Sequence, residues 1–330
     1  DDLDESDLAS SSVAFKTATT NGPSIPSALS AALQNAISIS GDVASANSGT
    51  VNWDWSLDND LVQYLADGET VTVTYTVSVT DDSGVINANA YDEVATATQD
   101  VTITITGTND KPVITEGGDT SALNETNIPI TDTGTMIVTD VDVSDTIAAT
   151  VDAVSISGGD YTSATVPSAL SNTALKTMLA LSSSSSTSAL AADPTAGTEF
   201  TWTFTSGSSG DTAFEFLAKD ETLELTYTVK VTDSSGATSG EITTDTSTVV
   251  VTITGTNDTP DISVVDVSGA VTEDASPAPD NPNTDTVESG AFLNEGGSID
   301  FTDLDLTDTS LVTSGFVSAT ASSGVTVSTD

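Results

Sequence analysis

Val71, Val73, Tyr75, Val77 and Val79 are apolar, and a threonine or serine stands between each and the next. The same period of two runs through Leu223, Leu225, Tyr227, Val229 and Val231, and through Val101, Ile103 and Ile105. Successive side chains of an extended strand point to opposite faces, so this alternation predicts strands with one face in a core and one in water. Trp53/Trp55 and Trp202/Phe204 repeat the alternation with aromatic residues, and their large area is expected to anchor the core. Asp81-Asp82-Ser83-Gly84 and Asp233-Ser234-Ser235-Gly236 carry turn chemistry and predict hairpins between the last two long strands of each set. Helical character is confined to Ser27–Ile37 and Ser168–Leu179, which read as brief crossovers, and Ser182–Ser186 reads as a surface loop. Short strands in series with turns between them predict an all-β, antiparallel sandwich architecture.

The pattern repeats. Val101–Pro112 (VTITITGTNDKP) returns as Val249–Pro260 (VVVTITGTNDTP) with a shift of 148 residues, and Glu69–Gly84 returns as Glu221–Gly236 with a shift of 152. Pro26–Leu29 (PSAL) matches Pro167–Leu170, and D-x-D-x-x-D occurs at Asp2/Asp4/Asp7, Asp140/Asp142/Asp145 and Asp303/Asp305/Asp308. Fixed-period self-similarity is the signature of a modular array. The expected division is a sandwich repeat cut at its N-terminal side over residues 1–110, a complete one over 111–258, and one cut at its C-terminal side over 259–330. The two partial copies overlap in register rather than completing each other, which favours a piece of a longer array.

Charge narrows the function. Fifty acidic residues against five lysines give a formal charge of −45, without arginine. Such a polyanion repels nucleic acid and anionic lipid, so neither is an expected partner. It also repels itself: unit charges about 4 Å apart cost roughly 1 kcal/mol in water and several times more near a protein surface. Bound cations or salt must offset that repulsion. Cysteine and histidine are absent, which excludes disulfides, the usual zinc sites and Ser-His or Cys-His nucleophiles. No apolar stretch is long enough to be a membrane-spanning helix. With so many acids, a carboxylate pair for glycoside hydrolysis can always be found and signifies nothing, so no enzyme is expected.

Four acidic elements recur in one order. Asn-Asp follows the final strand at Asn109/Asp110 and Asn257/Asp258; a glutamate stands 13 residues after the linker proline, at Glu125 and Glu273; then come the D-x-D element and the hairpin aspartate, Asp81 or Asp233. Calcium takes six to eight oxygen ligands, which such elements supply. Each also has a plain reading: Asp-Ser-Gly makes turns without an ion, D-x-D on a strand end confers solubility, and Asn-Asp before proline makes a stiff linker.

The GTND endings, the early glutamate, the later D-x-D and the VTDxSG hairpins together resemble the VCBS-type, cadherin-like repeats of giant bacterial (RTX-type) adhesins. The resemblance implies tandem Ig/cadherin-like sandwich modules in which a linker and the top of the next module share Ca2+. Carried over, one junction would use Asn109, Asp110, Glu125, Asp140, Asp142 and Asp233, and the next Asn257, Asp258, Glu273, Asp303 and Asp305. Asp2, Asp4 and Asp81 would form the upper half of a third. The sequence departs from the pattern between Glu273 and Asp303, 30 residues apart against 15 between Glu125 and Asp140, with an insert near 276–291 rich in Pro, Asp and Asn. The expected function is a calcium-rigidified stalk of an extracellular adhesin or filament on a bacterial surface, serving cell adhesion and biofilm. Its partners would be neighbouring repeats, other chains or cell-surface glycans. The rival reading is a glycan- or cell-binding sandwich, whose mark would be solvent-facing aromatics.

Overall fold

The computed structural model describes residues 9–40, 49–80, 96–182, 189–207, 213–235, 243–266, 268–272 and 294–319. Asp2, Asp4, Asp81 and Glu273 lie outside the described residues, as do the turn at 82–84, the serines at 183–186 and the insert at 276–291.

The alternating segments are strands. In the first repeat these are β1 (Ser10–Thr20), β2 (Ile37–Ser40), β3 (Asn52–Trp55), β4 (Thr70–Thr80) and β5 (Thr96–Thr106). They form the sheets β1-β4-β5 and β2-β3, both antiparallel. The second repeat comprises β6 (Val113–Glu116), β7 (Asp119–Asn124), β8 (Thr131–Thr139), β9 (Thr146–Gly159), β10 (Leu179–Leu181), β11 (Leu190–Ala191), β12 (Thr198–Thr205), β13 (Thr222–Thr232) and β14 (Thr244–Thr254). Its sheets run β10-β12-β8-β6 and β11-β9-β13-β14-β7, and all pairs are antiparallel except β14 with β7. Beyond it, β15 (Asp261–Val265) pairs antiparallel with β16 (Ile299–Thr302). The chain is therefore all-β and sandwich-built.

The period of two sets the core. Leu223, Leu225, Tyr227, Val229 and Val231 are fully buried along β13, against Met136, Val138, Phe200, Trp202 and Phe204 from the facing sheet. Val71, Val73 and Tyr75 do the same in the first repeat with Leu29, Leu33 and Leu65. The helices are shorter than the sequence suggests, α1 spanning Ser27–Leu33 and α2 Asn172–Thr177. Their C-terminal ends are tied to the core by one tyrosine each: Tyr75 donates its hydroxyl hydrogen to Leu33 O at 2.7 Å, and Tyr227 to Leu175 O at 2.9 Å. A buried phenol is stabilised by such a partner.

One aromatic expectation fails. Trp53 is 45% exposed, whereas its counterpart Trp202 is buried. Trp202 lies on β12 between β10 and β8, and its indole N–H donates to Asp119. Among the described residues β3 has only β2 beside it, so Trp53 overhangs an open apolar hollow with Val51, Val77 and Val79.

The glycine of GTND has a steric cause. A Cβ on Gly255 would stand 2.2 Å from Leu217 O, and one on Gly107 2.3 Å from Leu65 O. Only glycine lets the last strand pass these carbonyls while Gly255 N–H donates to Glu221 O and Gly107 N–H to Glu69 O, both at 2.8 Å. That passage delivers Asn-Asp to the end of the sandwich.

Candidate metal centres at the two linkers

The first centre is assembled from β8, β13 and the linker at Asp110. Beyond β8, D-x-D-x-x-D folds into consecutive turns: Asp142 N–H donates to Asp140 Oδ1 at 3.1 Å and Asp145 N–H to Asp142 O at 2.9 Å. Asp233 follows β13, and its N–H closes the hairpin on Thr243 O at 3.0 Å. The linker completes the set, for Asp110 N–H donates to Asp142 Oδ2 at 2.8 Å and Asn109 Nδ2 to Asp233 Oδ2 at 3.3 Å. Ser235 Oγ contacts both Asn109 Oδ1 and Asp145 Oδ2 at 2.6 Å.

Four carboxylates are buried there: Asp140 is 2% exposed, Asp142 0%, Asp145 5% and Asp233 8%. Oxygens of Asp140, Asp145 and Asp233 lie within 4.8 Å of one another. Asp140 Oδ2, Asp142 Oδ1 and Asp233 Oδ1 are buried without a hydrogen-bond partner. Burial, reinforced by neighbouring carboxylates, pushes Asp140 and Asp233 up to about 6 and Asp142 to about 7. The three ion pairs among the described residues use Asp100, Asp152 and Asp245, none of which belongs here. Buried anions without partners are costly, and a divalent cation is the group that would satisfy these oxygens.

The second centre lies at the opposite end of the second repeat. Glu125 and Glu215 are 2% and 3% exposed and meet Asp258, at 9%, with oxygens within 4.8 Å. Glu125 Oε2 accepts from Thr256 N and Oγ1 at 2.9 and 3.0 Å, while Asn127 Nδ2 donates to Glu215 Oε2 at 3.1 Å and Asp258 Oδ1 at 3.4 Å. The linker geometry repeats that of the first centre: Asp258 N–H donates to Asp305 Oδ2 at 2.9 Å, and Asp305 N–H to Asp303 Oδ1 at 3.2 Å. Asn257 Nδ2 donates to Asp258 O as Asn109 Nδ2 does to Asp110 O. Glu125 Oε1, Asp258 Oδ2 and Asp305 Oδ1 are the unpartnered atoms. Burial raises Glu215, Asp258 and Asp305, with Glu125 adding to the first two.

Glu125 is thus not placed with Asn109 and Asp110. Because β7 runs parallel to β14 and leaves the sheet at the same end, with Asn124 opposite Thr254, Glu125 is delivered to Asp258. Two residues were not among the expected ligands. Asp145 is the last member of a motif whose first two members were assigned. Glu215 sits in an aromatic stretch, AFEFLAKD, and the first repeat carries Gln63 at the corresponding place, so self-comparison conceals it.

All these donors are hard oxygens, as calcium, magnesium or manganese prefer, and the chain has neither imidazole nor thiolate to attract softer metals. Buried acidic clusters able to hold a metal ion therefore stand at both linkers.

No family model matches the chain, and no curated protein does. Among solved structures it is distantly similar to the titin domains Z1Z2 in complex with telethonin (11% identity, 77% of this chain and 90% of that one, TM-score 0.27). It is likewise similar to the cadherin-like domains 1 to 4 of zebrafish RET (10% identity, 76% of this chain and 42% of that one, TM-score 0.24). No helix among the described residues is long and apolar enough to cross a membrane.

Proposed function

We propose that residues 1–330 belong to an array of sandwich modules, divided at 1–110, 111–258 and 259–330, whose linkers are stiffened by calcium. One observation carries the reading. At both linkers, the backbone of an aspartate is held by an aspartate of the following repeat, and buried unpartnered oxygens stand around that contact. Protein hydrogen bonds place the carboxylates but leave their remaining lone pairs unmet. Asn109, Asp110, Asp140, Asp142, Asp145 and Asp233 would hold ions at the first junction; Glu125, Glu215, Asn257, Asp258, Asp303 and Asp305 at the second. Glu273, Asp2, Asp4 and Asp81 remain proposed ligands on sequence grounds.

A cation bonded to residues on both sides of a linker fixes their angle, whereas bare carboxylates repel and loosen it. Extracellular modules bind calcium at roughly 0.1–1 mM, so these junctions would fill outside a cell and stay empty inside it. The unfolded chain has no preformed site, so the binding energy adds to folding. With the resemblance to VCBS-type adhesin repeats, this supports a stalk segment of a bacterial surface adhesin or filament. Its charge and its lack of histidine and cysteine argue against a hydrolytic enzyme with a nucleophile of the Ser-His or Cys-His kind.

Calcium titration followed by small-angle scattering tests the reading. The expected result is a longer, stiffer particle with a higher melting temperature in calcium than in chelator. Identical scattering and melting in both would overturn it.

A further inference from the structure

The second and third repeats also touch outside the metal centre. The residues after Asp305 lie on the 216–221 loop of the second repeat: Leu306 N–H donates to Phe216 O at 3.1 Å, and Thr307 Oγ1 to Glu221 Oε1 at 2.6 Å. The other oxygen, Glu221 Oε2, accepts from the Tyr161 hydroxyl at 2.7 Å and from Ala218 N–H at 3.0 Å. Tyr161 is buried and stands edge-on to Phe216, with ring centroids 4.9 Å apart. Burial pushes the Glu221 carboxyl up, but the hydrogen bonds from Thr307, Tyr161 and Ala218 outweigh it and hold the group below its ordinary value. Glu221 is therefore a charged acceptor with its donors in place, and charge-assisted bonds are about twice as strong as neutral ones.

The first repeat has a loop of the same shape without this clasp. Glu69 N–H donates to Ala66 O at 3.0 Å as Glu221 N–H does to Ala218 O at 2.9 Å, and Ala66 N–H reaches Glu69 Oε2 at 3.0 Å. The tyrosine is missing. Asn21 caps Thr70 N–H as Asp160 caps Thr222 N–H, which sets Gly22 at the place of Tyr161. A Cβ on Gly22 would stand 2.5 Å from Glu69 Cδ, so no larger residue fits there while Glu69 keeps this conformation. At the first linker Val143 and Ser144 stand in the places of Leu306 and Thr307. Among the described residues, neither is hydrogen-bonded to the 64–69 loop. Serine carries the same hydroxyl as threonine, so the difference lies in the face it meets.

We propose that Tyr161, Phe216 and Glu221 form a docking face for the segment after the D-x-D element of the following repeat. Leu306 and Thr307, seated on it, hold the second and third repeats together without a cation. The clasp does not rest on the calcium reading, for none of these residues belongs to either ligand set. The second linker therefore keeps its angle in chelator.

The chain has no cysteine, so spin labels at the exposed positions Thr248→Cys and Ser298→Cys report on the second linker within the 330-residue chain. In chelator, the distance between them should fall in a single narrow population. Thr307→Val removes the hydroxyl at an exposed position and keeps the shape. It should raise the ratio of undocked to docked molecules about tenfold, seen as a second, broader population. Tyr161→Phe keeps the ring on Phe216 and should act in the same direction. A control pair across the first linker, Thr104→Cys with Thr248→Cys, should respond to neither substitution. A broad distribution in the unmodified chain, or a narrow one that neither substitution widens, overturns the clasp. Both of those results leave the calcium reading standing, because that reading fails on the calcium titration.

Discussion

The backbone N–H of Asp110 donates to the Oδ2 of Asp142 at 2.8 Å, and Asp258 repeats the bond on Asp305 at 2.9 Å. In each case one carboxylate oxygen of the acceptor is used up by the linker and the other, Oδ1, is buried without a partner. The linker bond therefore aims the free oxygen.

Asp142→Asn separates the cost of that charge from its use. In chelator the substitution should raise stability, because it removes a buried, unpaired anion. In calcium it should lower stability by about 1–3 kcal/mol, because a ligand charge is lost. Melting curves in both conditions give the two signs. A loss of the same size in both would show that Asp142 is a packing residue.

Protons should compete with the ion. The folded values of Asp140, Asp142 and Asp233, about 6 to 7, lie above the ordinary value of 3.8. Without calcium, the stability linked to these groups is fully present below 3.8 and is lost as pH rises through about 6 to 7. The chelated melting temperature should thus fall between about pH 4 and about pH 7. The calcium-bound protein should run the other way, holding its stability at the upper end and losing the ion as pH drops through the same window. Two parallel curves would refute the assignment.

Gly255→Ala should be among the most damaging single-methyl changes. The added carbon meets the backbone oxygen of Leu217 at 2.2 Å, and backbone cannot turn aside as a side chain can. A loss of about 2 kcal/mol or more is expected by denaturant titration, together with weaker calcium binding because Asp258 lies three residues on. Unchanged stability would mean that the loop moves freely.

Tyr227→Phe removes the hydroxyl that binds Leu175 O and should cost about 1 kcal/mol by the same titration. It lies far from both linkers in function, so calcium affinity should stay as it was. A shift in affinity would count against modules that fold independently of their junctions.

The fold was largely legible because its rule is local. Alternation at Leu223–Val231 requires no knowledge of a partner strand, and the hairpin follows from β13 and β14 pairing along their whole length. The grouping of buried acids was legible where sequence motif and spatial neighbours coincide, as at Asp140, Asp142, Asp233 and Asp258. It was not legible where a long-range pairing decides. Glu125 falls to the far end of its repeat through the parallel match of β7 with β14, and nothing in the spacing from Pro112 indicates that direction. Glu215 is hidden because its counterpart is Gln63. Trp53 misleads because alternation specifies a face, whereas cover depends on what packs over it.

The parallel pairing of β7 with β14 also orders events in time. Glu125 leaves any translating or exporting machinery near the start of its repeat, while Thr256, which holds it, lies 131 residues later. The lower site of a repeat is therefore finished only by its last strand. On the calcium reading, an ion captured there would register that the whole repeat has emerged and closed.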